Sequence, residues 1–119
     1  MNKSDTQKLE AIKARLIEGM RGYIADGDES YTEEEIKKCD KILQQFMMRL
    51  GKLGMSVAEI AILDCVKQAV LDLNALNSSV DGCLIETDQR EDLCEYILFA
   101  AKRSGLKQDG DVTEEWREW

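Results

Sequence analysis

The chain has 119 residues, enough for one domain built around one hydrophobic core. Apolar residues make up 44% and proline is absent, which favours long unbroken helices over a loop-rich or all-β fold. The 24 acids against 16 bases leave a net charge of −8, which repels nucleic acid and anionic membranes; the lack of histidine removes the commonest general base and metal ligand.

Helix starts are marked by an oxygen-bearing side chain followed three residues later by Glu or Gln, so that each satisfies a backbone N–H of the other. The pattern occurs at Ser4 and Gln7, Thr32 and Glu35, Ser56 and Glu59, Asp88 and Glu91, and Asp111 and Glu114. Helix ends fall at Gly27, at Gly51 or Gly54, at Gly82 and at Gly105. The first predicted helix, about 5–26, carries Leu9, Ile12, Leu16, Met20, Tyr23 and Ile24 as one apolar stripe. The second, about 33–51, repeats Ile36, Cys39, Ile42 or Leu43, Phe46 or Met47, and Leu50. The third, about 57–79, is apolar nearly all round, from Val57 and Ile60 through Val66 to Leu76, and is expected to be the central helix. Asn74 and Asn77 near its end are placed to cap it, to bend it or to bond across to the next helix.

The fourth predicted helix, about 88–104, buries Leu93, Cys94, Ile97, Ala100 and Ala101. A short terminal helix puts Val112, Trp116 and Trp119 on one side, where two indoles are expected to fold back over an open end of the bundle. The predicted fold is therefore all-α: a single-domain antiparallel four-helix bundle over residues 1–107, with a short C-terminal helix in an appendage, 108–119, packed on it.

The four cysteines show no CxxC spacing. Cys39, Cys65 and Cys94 sit in apolar helical stretches and read as reduced, buried thiols, while Cys83, after Asp81 and Gly82, is expected to be more accessible. Residues 1–20 lack a continuous apolar run, and the stretch from Val57 to Leu76 is broken by Glu59, Asp64, Lys67 and Asp72. Neither a signal peptide nor a membrane span is expected, and the reading is cytoplasmic.

No phosphate-cradling or nucleophile-elbow motif occurs, and without histidine a serine or cysteine lacks its usual base. The sole ExxE is Glu115 to Glu118 in the terminal segment. Asp64, Asp72 and Asp81 read as the solvated edge of the third helix. Neither catalytic residues nor a metal site nor a cofactor is predicted, and the chain does not read as an enzyme.

Charge is the informative feature. Residues 80–119 carry eleven acids against five bases, −6 of the total −8, whereas residues 1–26 are +1. On the fourth helix Asp88, Glu91, Asp92 and Glu95 fall within an arc of roughly 100°, opposite the buried stripe. Acids at a helix start also serve its dipole, so stability alone accounts for part of the pattern. The functional expectation is a small binding protein that neutralises a basic partner, in the manner of an immunity or antitoxin protein blocking a cationic nuclease-type toxin by direct contact. Its expected contact residues are Glu86, Asp88, Glu91, Asp92 and Glu95, with Phe99 as an apolar anchor. The alternatives are a structural or adaptor bundle, homodimeric through the second helix or the tryptophan segment, and a magnesium-dependent nucleotide hydrolase. Met20 and Met47 fall on core stripes, whereas Met48, beside Phe46 and Met47, lies in a run that exceeds a single stripe and is the methionine to watch as part of an adaptable apolar binding surface.

Overall fold

The computed structural model describes residues 1–54 and 58–119. Its four helices are α1 (Lys3–Ala25), α2 (Glu33–Leu53), α3 (Glu59–Ser78) and α4 (Thr87–Arg103). The α2 start is the predicted one: Thr32 N–H donates to Glu35 Oε1 at 2.7 Å, and the Thr32 hydroxyl accepts from Glu34 N–H. Elsewhere the register moves. Asn2, not Ser4, caps α1, its Oδ1 accepting from Asp5 N–H at 2.8 Å. The predicted cap Ser56, with Met55 and Val57, lies outside the described residues. Glu59 accepts the backbone N–H groups of Lys107 and Gln108, each at 2.8 Å. The fourth helix begins at Thr87 rather than Asp88, because Gln89 reaches back to accept from Glu86 N–H at 3.2 Å. Asp88 therefore stands inside the first turn, where the helix dipole favours a negative charge.

The chain chooses Gly54 over Gly51 to end α2, with φ 77°. Gly105, at φ 118°, turns α4 back so that Leu106 N–H bonds the Ala101 carbonyl at 3.0 Å.

Consecutive helices run antiparallel and close into a ring. The α1–α4 and α2–α3 faces are the most extensive, with α1–α2 and α3–α4 completing it. Ion pairs record the alignment: Arg103 with Asp5 and Arg15 with Asp92 join α4 to α1, while Lys13 with Asp40 joins α1 to α2. The core between them holds Leu16, Met20, Leu43, Phe46, Ile62, Val66, Leu73, Leu93 and Ile97, all fully buried. The molecule measures 47 × 29 × 22 Å, a length a 23-residue helix of about 34 Å largely sets. Among the described residues no helix is long and apolar enough to cross a membrane.

Two expectations are corrected by packing. The third helix is one wall of the ring rather than a central rod, and Ile60, 69% exposed, and Leu71 face outward. Its buried positions run from Ile62 through Cys65, Val66, Ala69 and Val70 to Leu76, and at its C-terminal end two amides are occupied. Asn77 Oδ1 accepts from Leu84 and Ile85 N–H at 3.0 and 2.9 Å, fixing the α3–α4 connection. Asn74 donates to the Trp116 carbonyl and accepts from Glu118 N–H, fixing the terminal segment.

That segment forms no fifth helix. Trp116 and Arg117 N–H both bond the Thr113 carbonyl, a single turn that does not continue. Asp111, predicted to start the helix, instead accepts from Thr113 N–H and from the Thr113 hydroxyl, and pairs with Arg117 at 3.1 Å. Val112 and Thr113 are buried, and Trp116 and Trp119 pack half-buried against the core.

Candidate functional site

The C-terminal half of α1 and the N-terminal half of α4 enclose a groove of about 520 Å³. Gly19 and Gly22 line it from α1 and Gln89 from α4. Gly19 permits the close approach, since a Cβ built there would lie 2.9 Å from Gln89 Nε2. Five carboxylates surround this space: Asp26 at the end of α1, and Asp88, Glu91, Asp92 and Glu95 from α4. The helical spacing of the four α4 acids thus becomes a shared wall.

The wall is not uniformly available. Arg15 of α1 crosses to it and bonds Asp92 Oδ1 and Glu95 Oε1, each at 2.8 Å. Asp92 is only 9% exposed and Arg15 is the partner that makes its burial tolerable. Hydrogen bonds to Asp92 and then Glu95 hold the Arg15 guanidinium above its ordinary pKa, so its charge is permanent. Asp26, Asp88 and Glu91 pair with no basic side chain among the described residues. The six predicted contact residues therefore separate. Asp88 and Glu91 are exposed and unpaired, while Asp92 and Glu95 are engaged by the protein's own arginine.

Glu86 and Phe99 lie outside the groove. Glu86 is the exposed residue at the N-cap of α4, its backbone N–H held by Gln89. Phe99 sits half-buried beyond the groove, with Lys8 Nζ 4.5 Å and the Arg103 guanidinium 5.2 Å from its ring centre. It lines a neighbouring depression with Leu98, Lys102 and Arg103, and Glu95 borders both spaces. The ring is thus engaged by two of the protein's own cations, each a cation–π contact.

Sequence reasoning missed Arg15, Asp26 and Gln89. The signal for Arg15 was the contrast between a +1 first segment and a −6 last third, which favours pairing of α1 with α4. Gln89 was legible as the fourth residue of Glu86-Thr87-Asp88-Gln89, an alternative cap in competition with Asp88 and Glu91.

Among the described residues no three Asp, Glu or Cys side chains converge closely enough to hold a metal ion. All four cysteines are free. Burial pushes the Cys39 thiol up to about 12 and also raises Cys65 and Cys94, so these thiols stay protonated and unreactive. What the groove offers is shape, negative potential and hydrogen-bond donors. No family model, curated protein or solved structure matches the chain.

Proposed function

We propose that the chain is a cytoplasmic binding protein that neutralises a basic protein partner through the acidic groove between α1 and α4. The supporting observation is that Asp26, Asp88 and Glu91 line one groove without internal counterions, on two helices locked together by Arg15 and by the Gly19 contact. Rigid framing matters because a preorganised charge array loses little freedom on binding and steers a cationic partner from a distance. A nuclease-type toxin fits this chemistry, since a cleft built for phosphates is a cleft that accepts carboxylates. The proposal is an inhibitor, of the immunity or antitoxin kind, that occupies such a cleft and blocks substrate.

The test compares two immobilised baits, the wild-type chain and Asp88→Lys/Glu91→Lys. Proteins held by the first and lost from the second are identified, and their nuclease activity is assayed with and without the chain. The proposal predicts basic proteins whose nuclease activity the wild-type chain suppresses and the double variant does not. A retained set unchanged by the charge reversal, or free of nuclease activity, contradicts it.

A further inference from the structure

A helix packed in a ring spends one face on the core and turns the opposite face to water, and that outer face is ordinarily polar. On α3 it is not. Ile60 is 69% exposed and Leu71 42%, two of the four large apolar side chains exposed among the described residues. Between them stand Asp64 and Lys67, both exposed. At 100° per residue these four positions fall in an arc of roughly 60°, opposite Ile62, Val66, Ala69 and Leu73 on the buried side. Neither charge is used within the chain. Among the described residues Asp64 and Lys67 form no ion pair, whereas Asp72, on the flank of the stripe, lies 3.8 Å from Arg49.

The order of the four residues says what can cover them. Ile60 and Leu71 are centred on the point of the helix midway between Cys65 and Val66, and so are Asp64 and Lys67. A two-fold axis through that point, relating two antiparallel copies of α3, sets Ile60 against Leu71 of the second copy and Asp64 against its Lys67. Each contact occurs twice, so two opposite-charge pairs stand at the middle and an apolar pair at either end, spread over about 17 Å. A lipid surface or a purely apolar groove would strip water from both charges and give them no partner. An in-register parallel copy would set like charge against like. The stripe is complementary to itself in reverse.

We propose that two copies of the chain associate through the outer face of α3, antiparallel, with Ile60 on Leu71 and Asp64 on Lys67 across the two-fold axis. A single helix face is at the small end of specific interfaces, so the dimer is reversible and its population follows concentration. The α3 helix packs on α2 and α4 and lies across the ring from α1, so the α1–α4 groove stays open in both copies. The dimer is therefore independent of the basic-partner reading; where both hold, it presents two grooves at once.

The experiment is sedimentation velocity of the full chain over a concentration series reaching about 1 mM. The wild type is compared with Asp64→Lys, with Lys67→Asp and with an equimolar mixture of the two variants. The wild type is expected to shift from monomer towards dimer as concentration rises. Each single variant sets like charges opposite one another in both central pairs, and its dissociation constant should rise at least about tenfold. In the mixture every pair is again opposite in charge, so dimers should return at about the wild-type strength. The doubly exchanged chain, Asp64→Lys/Lys67→Asp, should dimerise with itself for the same reason, which repeats the test without mixing. Ile60→Ser/Leu71→Ser should abolish association. All four positions are exposed, and melting curves confirm that each variant is folded. A wild type that stays monomeric throughout leaves the face to another occupant and overturns the proposal. A dimer that the single exchanges leave intact, or that neither the mixture nor the double exchange restores, places the contact on another surface and overturns it too. None of these outcomes bears on the acidic groove.

Discussion

Asn77 shows how much a single amide can organise. Its Oδ1 is the acceptor for two buried backbone N–H groups, those of Leu84 and Ile85. Asn77→Ala leaves both donors unsatisfied, and urea unfolding is expected to show a loss of about 2–4 kcal/mol. A change below about 0.5 kcal/mol would mean that the connection relaxes to find other acceptors. Arg15 has the opposite kind of importance, joining stability to function. Arg15→Ala strands Asp92 in a nearly buried position and releases Glu95, so the melting temperature should fall. The same change makes the groove more negative, and association with a basic protein should become faster. A variant that melts lower and binds more slowly would show that Arg15 shapes the contact surface rather than merely screening it. The sequence announced the amides as a break in an apolar run but not their partners. Asn74 bonds residues 42 and 44 positions away, and Arg15 reaches 77 positions to Asp92, distances over which local pattern carries no information.

At the scale of elements, what was legible was local. The apolar stripes of α1, α2 and α4 and the capping box at Thr32 follow from 3.6-residue periodicity and from bonds spanning three residues. The failures occurred where local signals competed. Glu86 with Gln89 won over Asp88 with Glu91, and Asp111 turned its carboxylate to Thr113 and Arg117 instead of starting a helix. The acidic arc on α4 was legible as geometry, while its division into paired and unpaired halves depended on which helix lies beside it. The terminal segment yields a pH prediction. Its first residues hang on Glu59, whose carboxyl is held below the ordinary carboxylate range by the N–H groups of Gln108 and Lys107. A carboxyl with a lowered folded pKa stabilises fully above its unfolded value, about 4.3, and that contribution disappears as pH falls through the folded value. Acidification below that point should loosen the segment before the bundle melts, and both tryptophans lie within it to report the change. Tryptophan emission is expected to shift to the red in acid, with Glu59→Gln flattening the acid limb. An acid response identical in the variant would place the titrating group elsewhere.

For the whole molecule, the distribution of charge matters more than its total. The −8 is concentrated on one end of the chain, and the fold neutralises part of it internally: Arg15 takes two of the α4 acids, and Arg103 takes Asp5. What is left facing outward in the groove is Asp26, Asp88 and Glu91 on a braced helix pair, with a basic surround at Phe99 further along α4. Such a molecule is polarised along α4, acidic where the helix begins and basic where it ends, and a cationic protein of the kind proposed would be steered to one end of it. The most direct measurement is the association rate of a basic protein recovered on the wild-type bait, followed against ionic strength for that chain and for Asp88→Lys/Glu91→Lys. The account predicts a rate that falls steeply with added salt for the wild type, and a rate at least about tenfold slower and nearly salt-independent for the double variant. Equal rates for the two chains at low salt would contradict it.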